Sequence, residues 1–227
     1  MRISLTILVF IVSLACRAQF IDLRAGASFS KRQLIENGSV NFNEYGVVGG
    51  VSFGVLYAHR FNNIIGLRTG LDFNTRGYKY YWDINVINDS QSPSITTHYR
   101  PAFPDKNYYL DLPLQLQIYY EIDRNAEFSG FLGPYVGYQL AGRSMHGSIF
   151  ADTSGLQDNR IMDWDDLSYT YESRWDYGFQ FGGSVIVKNF MFEAVFALGI
   201  KSKFSTYNDL QTPYRSVYLS LGYRFEL

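Results

Sequence analysis

YYLDLPLQLQIYY, residues 108–120, places an apolar side chain at every second position. Tyr108, Leu110, Leu112, Leu114, Leu116, Ile118 and Tyr120 form one unbroken row, and Asp111, Gln115 and Gln117 stand opposite. A helix would repeat its apolar face every three or four residues; a period of two belongs to an extended strand with one apolar and one polar face. Pro113 donates no ladder hydrogen bond, so a local bulge is expected there.

The same period recurs along the chain. At 21–29, Ile21, Leu23, Ala25, Ala27 and Phe29 oppose Asp22, Arg24, Gly26 and Ser28. Val47, Val51, Phe53, Val55 and Tyr57 share a face at 47–57, against Gly50, Ser52 and Gly54. Ile65, Leu67, Leu71 and Phe73 do so at 65–75, against Arg68, Asp72, Asn74 and Arg76. At 128–140, Leu132, Val136, Tyr138 and Leu140 oppose Ser129, Gly133, Gly137 and Gln139. Two more runs follow closely: Tyr177, Phe179, Phe181, Val185 and Val187, then Phe190, Phe192, Phe196, Leu198 and Ile200 against Glu193, Gly199 and Lys201. The last is VYLSLGYRFEL, with Val217, Leu219, Leu221, Tyr223 and Phe225 on one side.

That makes eight strands, of a length that suits a tilted membrane strand of about 9–11 residues. Bacterial barrels use even strand numbers. The connections alternate. RFNN (60–63), EIDRNAE (121–127) and KN (188–189) are short, whereas 30–46, 82–107, 142–174 and 201–214 are long. Short periplasmic turns and long outer loops are the outer-membrane pattern.

Composition agrees. The 227 residues include 19 Tyr, 18 Phe and 20 Gly but only 6 Pro, and charged residues are 18%, below the usual 25% or so. The N-terminus, MRISLTILVFIVSLACRAQF, has a basic Arg2 and an apolar run at 3–15 too short to span a bilayer as a helix. Residues 1–18 are expected to be a secretory signal, leaving 19–227 as the barrel domain. A lipoprotein signal modified at Cys16 is the alternative. Cleavage after Ala18 removes the single cysteine and two arginines, leaving 18 basic against 21 acidic residues, a net charge near −3. Nucleic acid is then a poor partner.

Alternation alone does not say which face is inside. A lipocalin-like barrel has an apolar interior; a membrane barrel is inverted. Three features favour inversion. The polar face is rich in Gly and Ser, which suits a crowded eight-strand interior. It carries charge of both signs (Asp22, Arg24, Arg68, Asp72, Asp111, Glu193, Lys201 and Arg224), which inside a narrow barrel must pair into a network. The apolar face ends in aromatics at Tyr57, Tyr108, Tyr120, Tyr138, Phe190 and Phe225, as interfacial girdles do. A secreted soluble barrel or sandwich is the rival.

YLDLPLQLQ (109–117), GPYVGYQLAG (133–142), DYGFQFGGSV (176–185), FEAVFALGI (192–200) and SLGYRF (220–225) resemble the outer-membrane β-barrel family common in Bacteroidota, which includes PorT-like proteins, and the eight-stranded OmpA/OmpX type. The resemblance spans the chain after residue 18. It implies an eight-stranded antiparallel up-and-down transmembrane barrel in the outer membrane and little about activity; no catalytic residue, metal or cofactor is expected. It also implies that the barrel-assembly machinery recognises the C-terminal strand through Leu219, Leu221, Tyr223 and Phe225.

Three function classes follow. The leading one is a structural or interaction barrel, serving envelope integrity, adhesion or an envelope complex such as a secretion machine. Its partners would be outer-membrane lipid, lipopolysaccharide and an envelope protein. The second is a lipid-A-modifying enzyme, which needs a nucleophile, a base and an orienting acid in mutual reach. His146 beside Ser148 is the nearest hint, and His59 and His98 complete the histidines. The third is a narrow pore, although eight strands are normally filled by side chains. Asp158, Asp163, Asp165 and Asp166 could offer oxygen ligands to Ca²⁺ or Mg²⁺, but without EF-hand spacing. Trp164, Tyr169, Tyr171 and Trp175 suit a binding surface or the rising end of a strand. The barrel is expected to migrate faster on a gel unheated than boiled. A single position for both samples would contradict the architecture.

Overall fold

The computed structural model describes residues 19–36, 39–41, 45–81, 84–88, 95–99, 102–146, 149–152, 155–158, 161–164, 174–200, 210–211 and 213–227. The candidate signal segment 1–18 and Lys201 lie outside these.

Eight long strands form the wall: β1 Gln19–Arg32, β2 Val48–Arg60, β3 Ile65–Tyr81, β4 Ala102–Asp123, β5 Ala126–His146, β6 Trp175–Val187, β7 Phe190–Gly199 and β8 Tyr214–Glu226. Each pairs antiparallel with the next, and β8 pairs with β1, so the sheet closes into a ring. Closure gives every wall strand two hydrogen-bonded neighbours, which hydrocarbon demands of backbone it cannot solvate.

The ring is sheared. Paired residues run from Phe29 through Val217, Phe196, Phe181, Leu132, Leu116, Leu67 and His59 back to β1 at Gln19, not Phe29. An offset of that size in eight strands gives a tilt of roughly 40°.

Burial decides the face. Along β4, Leu112, Leu114, Leu116 and Ile118 are 44–54% exposed, whereas Asp111, Gln115 and Gln117 are 0% exposed. A soluble barrel would show the reverse. The outward aromatics fall into two tiers. Tyr57, Tyr120, Phe190, Tyr223 and Phe225 lie toward one end; Tyr108, Tyr138 and Trp175 lie toward the other, where Tyr138 meets Trp175 edge-on at 5.0 Å. Such girdles bracket an apolar band about 25 Å tall.

At the end near the first tier the connections are the turns 61–64, 124–125 and 188–189. Lys188 N–H donates to the Asn125 carbonyl at 2.6 Å, tying two turns together, and Leu227 N–H donates to the Gln19 carbonyl at 3.0 Å. The start of β1 and the end of β8 therefore meet there.

Two expectations are corrected. No bulge occurs at Pro113, where β4 keeps one register against both neighbours. Opposite it stands Gly70 with φ 156°, a backbone setting that suits glycine, so the distortion is taken up across the strand pair. Register shifts between β4 and β5 occur instead at Ala126/Glu127, where Ile122 is the extra residue on β4, and at Gln139/Ala141, where Leu140 is the extra residue on β5. Second, 102–107 and 142–146 are strand, not loop. Beyond the girdle both faces can be wetted, so strict alternation stops while pairing continues. β3, β4 and β5 reach 17, 22 and 21 residues, against 10 for β7. The short strand Ile161–Trp164 pairs with the upper end of β5, and Tyr45–Gly46 with that of β3.

Removing the chain from Leu219 onward deletes the partners of residues 20–27 and opens the ring. The expected outcome is loss of the heat-modifiable form and of membrane insertion in refolding assays. A truncated chain that still inserts would show that β8 does not close the wall.

Candidate functional site

The polar faces of the eight strands converge on a filled interior. In its lower half, Arg224 donates to both carboxylate oxygens of Asp22, at 2.7 and 2.8 Å, joining the last strand to the first. Arg24 pairs with Asp72 and with Glu193, and Arg68 pairs with the other Glu193 oxygen. Arg68 also donates to Gln115 at 2.9 Å, and Gln115 donates to Gln180 at 2.9 Å. Nearer the turns, Glu127 accepts from Arg60 and Arg224. Four guanidiniums thus face four carboxylates in this half.

A second cluster lies above it. Arg76 pairs with Asp111 and, at 2.6 Å, with Asp176, and donates to the Tyr218 hydroxyl at 2.9 Å. Asn74 donates to Asp111 at 2.7 Å. The guanidinium lies 4.8 Å from the ring centres of both Tyr109 and Tyr135. Between the clusters, Arg68 sits 4.0 Å over Phe131, and Phe131, Tyr135, Val195, Ala197 and Tyr218 pack together. Apolar and charged layers alternate down the axis. A buried charge is tolerated only where it is paired, and each of these carboxylates meets at least one guanidinium, although Arg68 Nη2 and Asp111 Oδ1 have no hydrogen-bond partner of their own.

Two glycines make room. A side-chain carbon at Gly54 would collide with the Asp72 carboxylate, and one at Gly137 with the Asp111 carboxylate. Each lets an ion pair lie flat against bare backbone.

The structure brings Asp22, Arg24, Arg68, Asp72, Glu193 and Arg224 together. It places Asp111 in the upper cluster. The sequence-based selection missed Arg76, Asp176, Arg60 and Glu127. Alternation put Arg76 and Asp176 on polar faces, but they stood just past the limits drawn at Thr75 and Tyr177. Arg60 and Glu127 had been assigned to turns.

His59 is buried at the turn end of β2, edge-on to Phe61 at 5.0 Å. The backbones of His98, His146, Asp158, Asp163 and Trp164 lie in strands, with undescribed side chains, and Ser148, Asp165, Asp166, Tyr169 and Tyr171 fall outside the described residues. Among the described residues no three His, Cys, Asp or Glu side chains are grouped to hold a metal ion. A polar mouth of about 560 Å³ opens at the turn end, lined by Arg60, Glu127 and Arg224 within and Arg124 and Lys188 at its rim.

A family model for the outer membrane protein beta-barrel domain matches residues 17–205. The chain belongs to that family. The protein is a small outer-membrane barrel. No curated protein matches it. Solved structures similar to it include Ail, the attachment invasion locus protein of Yersinia pestis, at 14% identity over 92% of this chain and 99% of that one, with a TM-score of 0.37. Neisserial surface protein A is 15% identical over 92% and 97%, with a TM-score of 0.41. The N-terminal β-barrel domain of Pseudomonas aeruginosa OprF is 7% identical over 88% and 97%, with a TM-score of 0.34.

Glu193 bridges two fully buried arginines, Arg24 and Arg68. Glu193→Leu is expected to destabilise the refolded barrel by about 3–5 kcal/mol in urea titration, because Arg68 and Arg24 lose a buried partner. Arg68→Met added to it should recover part of that loss. A double variant as unstable as the sum of the singles would show that the pair does not interact.

Proposed function

We propose that the protein is an anchoring and display barrel, holding an outward-projecting sheet at the cell surface for adhesion or for scaffolding an envelope complex. One observation carries this reading: the interior is filled by ion pairs and aromatic rings while β3, β4 and β5 run on past the Tyr108, Tyr138 and Trp175 girdle. A filled barrel has no path to offer a solute, and its chemical groups are committed to one another. What it offers is a stiff wall with a raised rim. The rim's outer strands are flanked by Tyr45–Gly46 and Ile161–Trp164, so its long strands are covered by short edge strands.

The remaining roles follow from that reading. Residues 1–18 direct export, and Leu219, Leu221, Tyr223 and Phe225 present the outward row by which the assembly machinery takes up the last strand.

In planar bilayers the refolded protein is expected to add no current steps above background. Clear unitary conductance would overturn the closed interior. Exchanging 147–173 for a short Gly/Ser linker is expected to abolish cell-surface attachment while heat-modifiable migration persists. Attachment equal to that of the intact protein would remove the display role. Lipid A from a deletion strain is expected to keep its mass profile; a changed acyl pattern would favour the enzyme instead.

A further inference from the structure

The ion pairs of the interior stop at the turn end. The polar mouth there has a volume of about 560 Å³, that of a sphere about 10 Å across. Its floor is the lowest ion pair of the bore: Glu127 accepts from Arg60 and Arg224, and the Arg60 guanidinium lies 3.9 Å from the Tyr119 ring centre. The rim carries Arg124 and Lys188 together with Glu121, Asp123 and Glu226, all of them exposed. Among the described residues no carboxylate pairs with the side chain of Arg124 or Lys188, and no cation pairs with Glu121, Asp123 or Glu226.

Two turns hold the rim cations side by side. Lys188 N–H donates to the Asn125 carbonyl at 2.6 Å, so the turn containing Arg124 is tied to the turn that begins at Lys188. Val187 pairs with Phe190, which leaves Lys188 and Asn189 as a two-residue hairpin loop. Lys188 has φ 57°, a left-handed setting that such loops mostly give to glycine or asparagine. A lysine adopts it against a steric cost, and an outlier of that kind points to a use for the side chain. The Asn189 side-chain amide donates to the Arg224 carbonyl at 2.9 Å, which brings the end of β8, with Glu226, to the same rim.

We infer that this mouth binds a short peptide with free ends, its carboxylate between Arg124 and Lys188 and its ammonium toward Glu226. Charge of both signs selects the occupant. A simple anion would meet Glu121, Asp123 and Glu226 beside the two cations, whereas a zwitterion is matched at each end. An extended chain spans about 3.5 Å per residue, so three residues reach across the opening. Short turns mark this end as the periplasmic one, and the peptide comes from that compartment. The site is independent of the display rim at the other end of the barrel.

The test is an amide NMR titration of the isotope-labelled full-length barrel, refolded in detergent, with tri-alanine. Shifts are expected at Arg124, Asn125, Lys188, Asn189 and Glu226. An exposed charge pair contributes up to about fivefold, so Lys188→Gly should weaken binding by about that factor. Its stability in urea should hold or rise, because glycine takes this φ freely; a lysine kept only for the turn would show no loss of binding. Arg124→Gln, in the other turn, should weaken binding as much, and Lys106→Gln, at the far end, should leave it unchanged. Tri-alanine acetylated at its amine and amidated at its carboxylate should not bind. Absence of shifts at these amides, equal binding of the capped peptide, or the same shifts with inorganic phosphate would overturn the site. Heat-modifiable migration of every variant separates loss of this site from loss of the barrel.

Discussion

A peptide group in hydrocarbon has no water to turn to. Each N–H and C=O of the wall must find a partner within the sheet, and only a closed sheet supplies one for every strand. Closure dictates the pairing of β8 with β1, the shear of the ring and the tilt of its strands. Tilt and strand number together set the bore, and the bore is narrow enough for side chains from opposite walls to meet. The interior network exists because closure leaves room for little else.

That interior inverts the usual packing order. The surrounding lipid is as apolar as leucine, so burying leucine inside would gain little against leaving it outside. The wall faces its aliphatic residues outward and fills the core with charge. Such a core holds only if every charge meets its complement. The fourfold match in the lower half, the bridging position of Glu193 and the bare backbone at Gly54 and Gly137 meet that condition together. A larger residue at either glycine would displace a carboxylate from its arginine.

The wall was legible in the sequence because the lipid imposes a period of two wherever a strand crosses it. Residues 108–120 show that period without a break, and the eight segments, their order and the alternation of short and long connections all follow from it. Legibility ended where the lipid does. The upper parts of β3, β4 and β5 lost their alternation although their pairing went on, so Arg76 fell past the end drawn for β3 while sitting in the core, and Asp176 stood one residue before the first apolar position read on β6. Pro113 misled in another way. Its missing donor suggested a bulge, but the partner that absorbs it, Gly70, lies on a different strand. Which arginine meets which carboxylate was likewise beyond alternation, since parity states the side of the wall and not the height across the bore.

The ion pairs join residues far apart along the chain: Arg224 and Asp22 are separated by 202 positions, and Arg68 and Glu193 by 125. No early hairpin contains both members of such a pair. A half-built wall therefore carries lone arginines and lone carboxylates on its concave side, and these need water until the final strands arrive. Assembly then has a built-in order: the lumen stays wet while the sheet grows and dries only when the seam zips shut. The same charges that fill the finished barrel keep its unfinished form from settling into lipid as an open sheet.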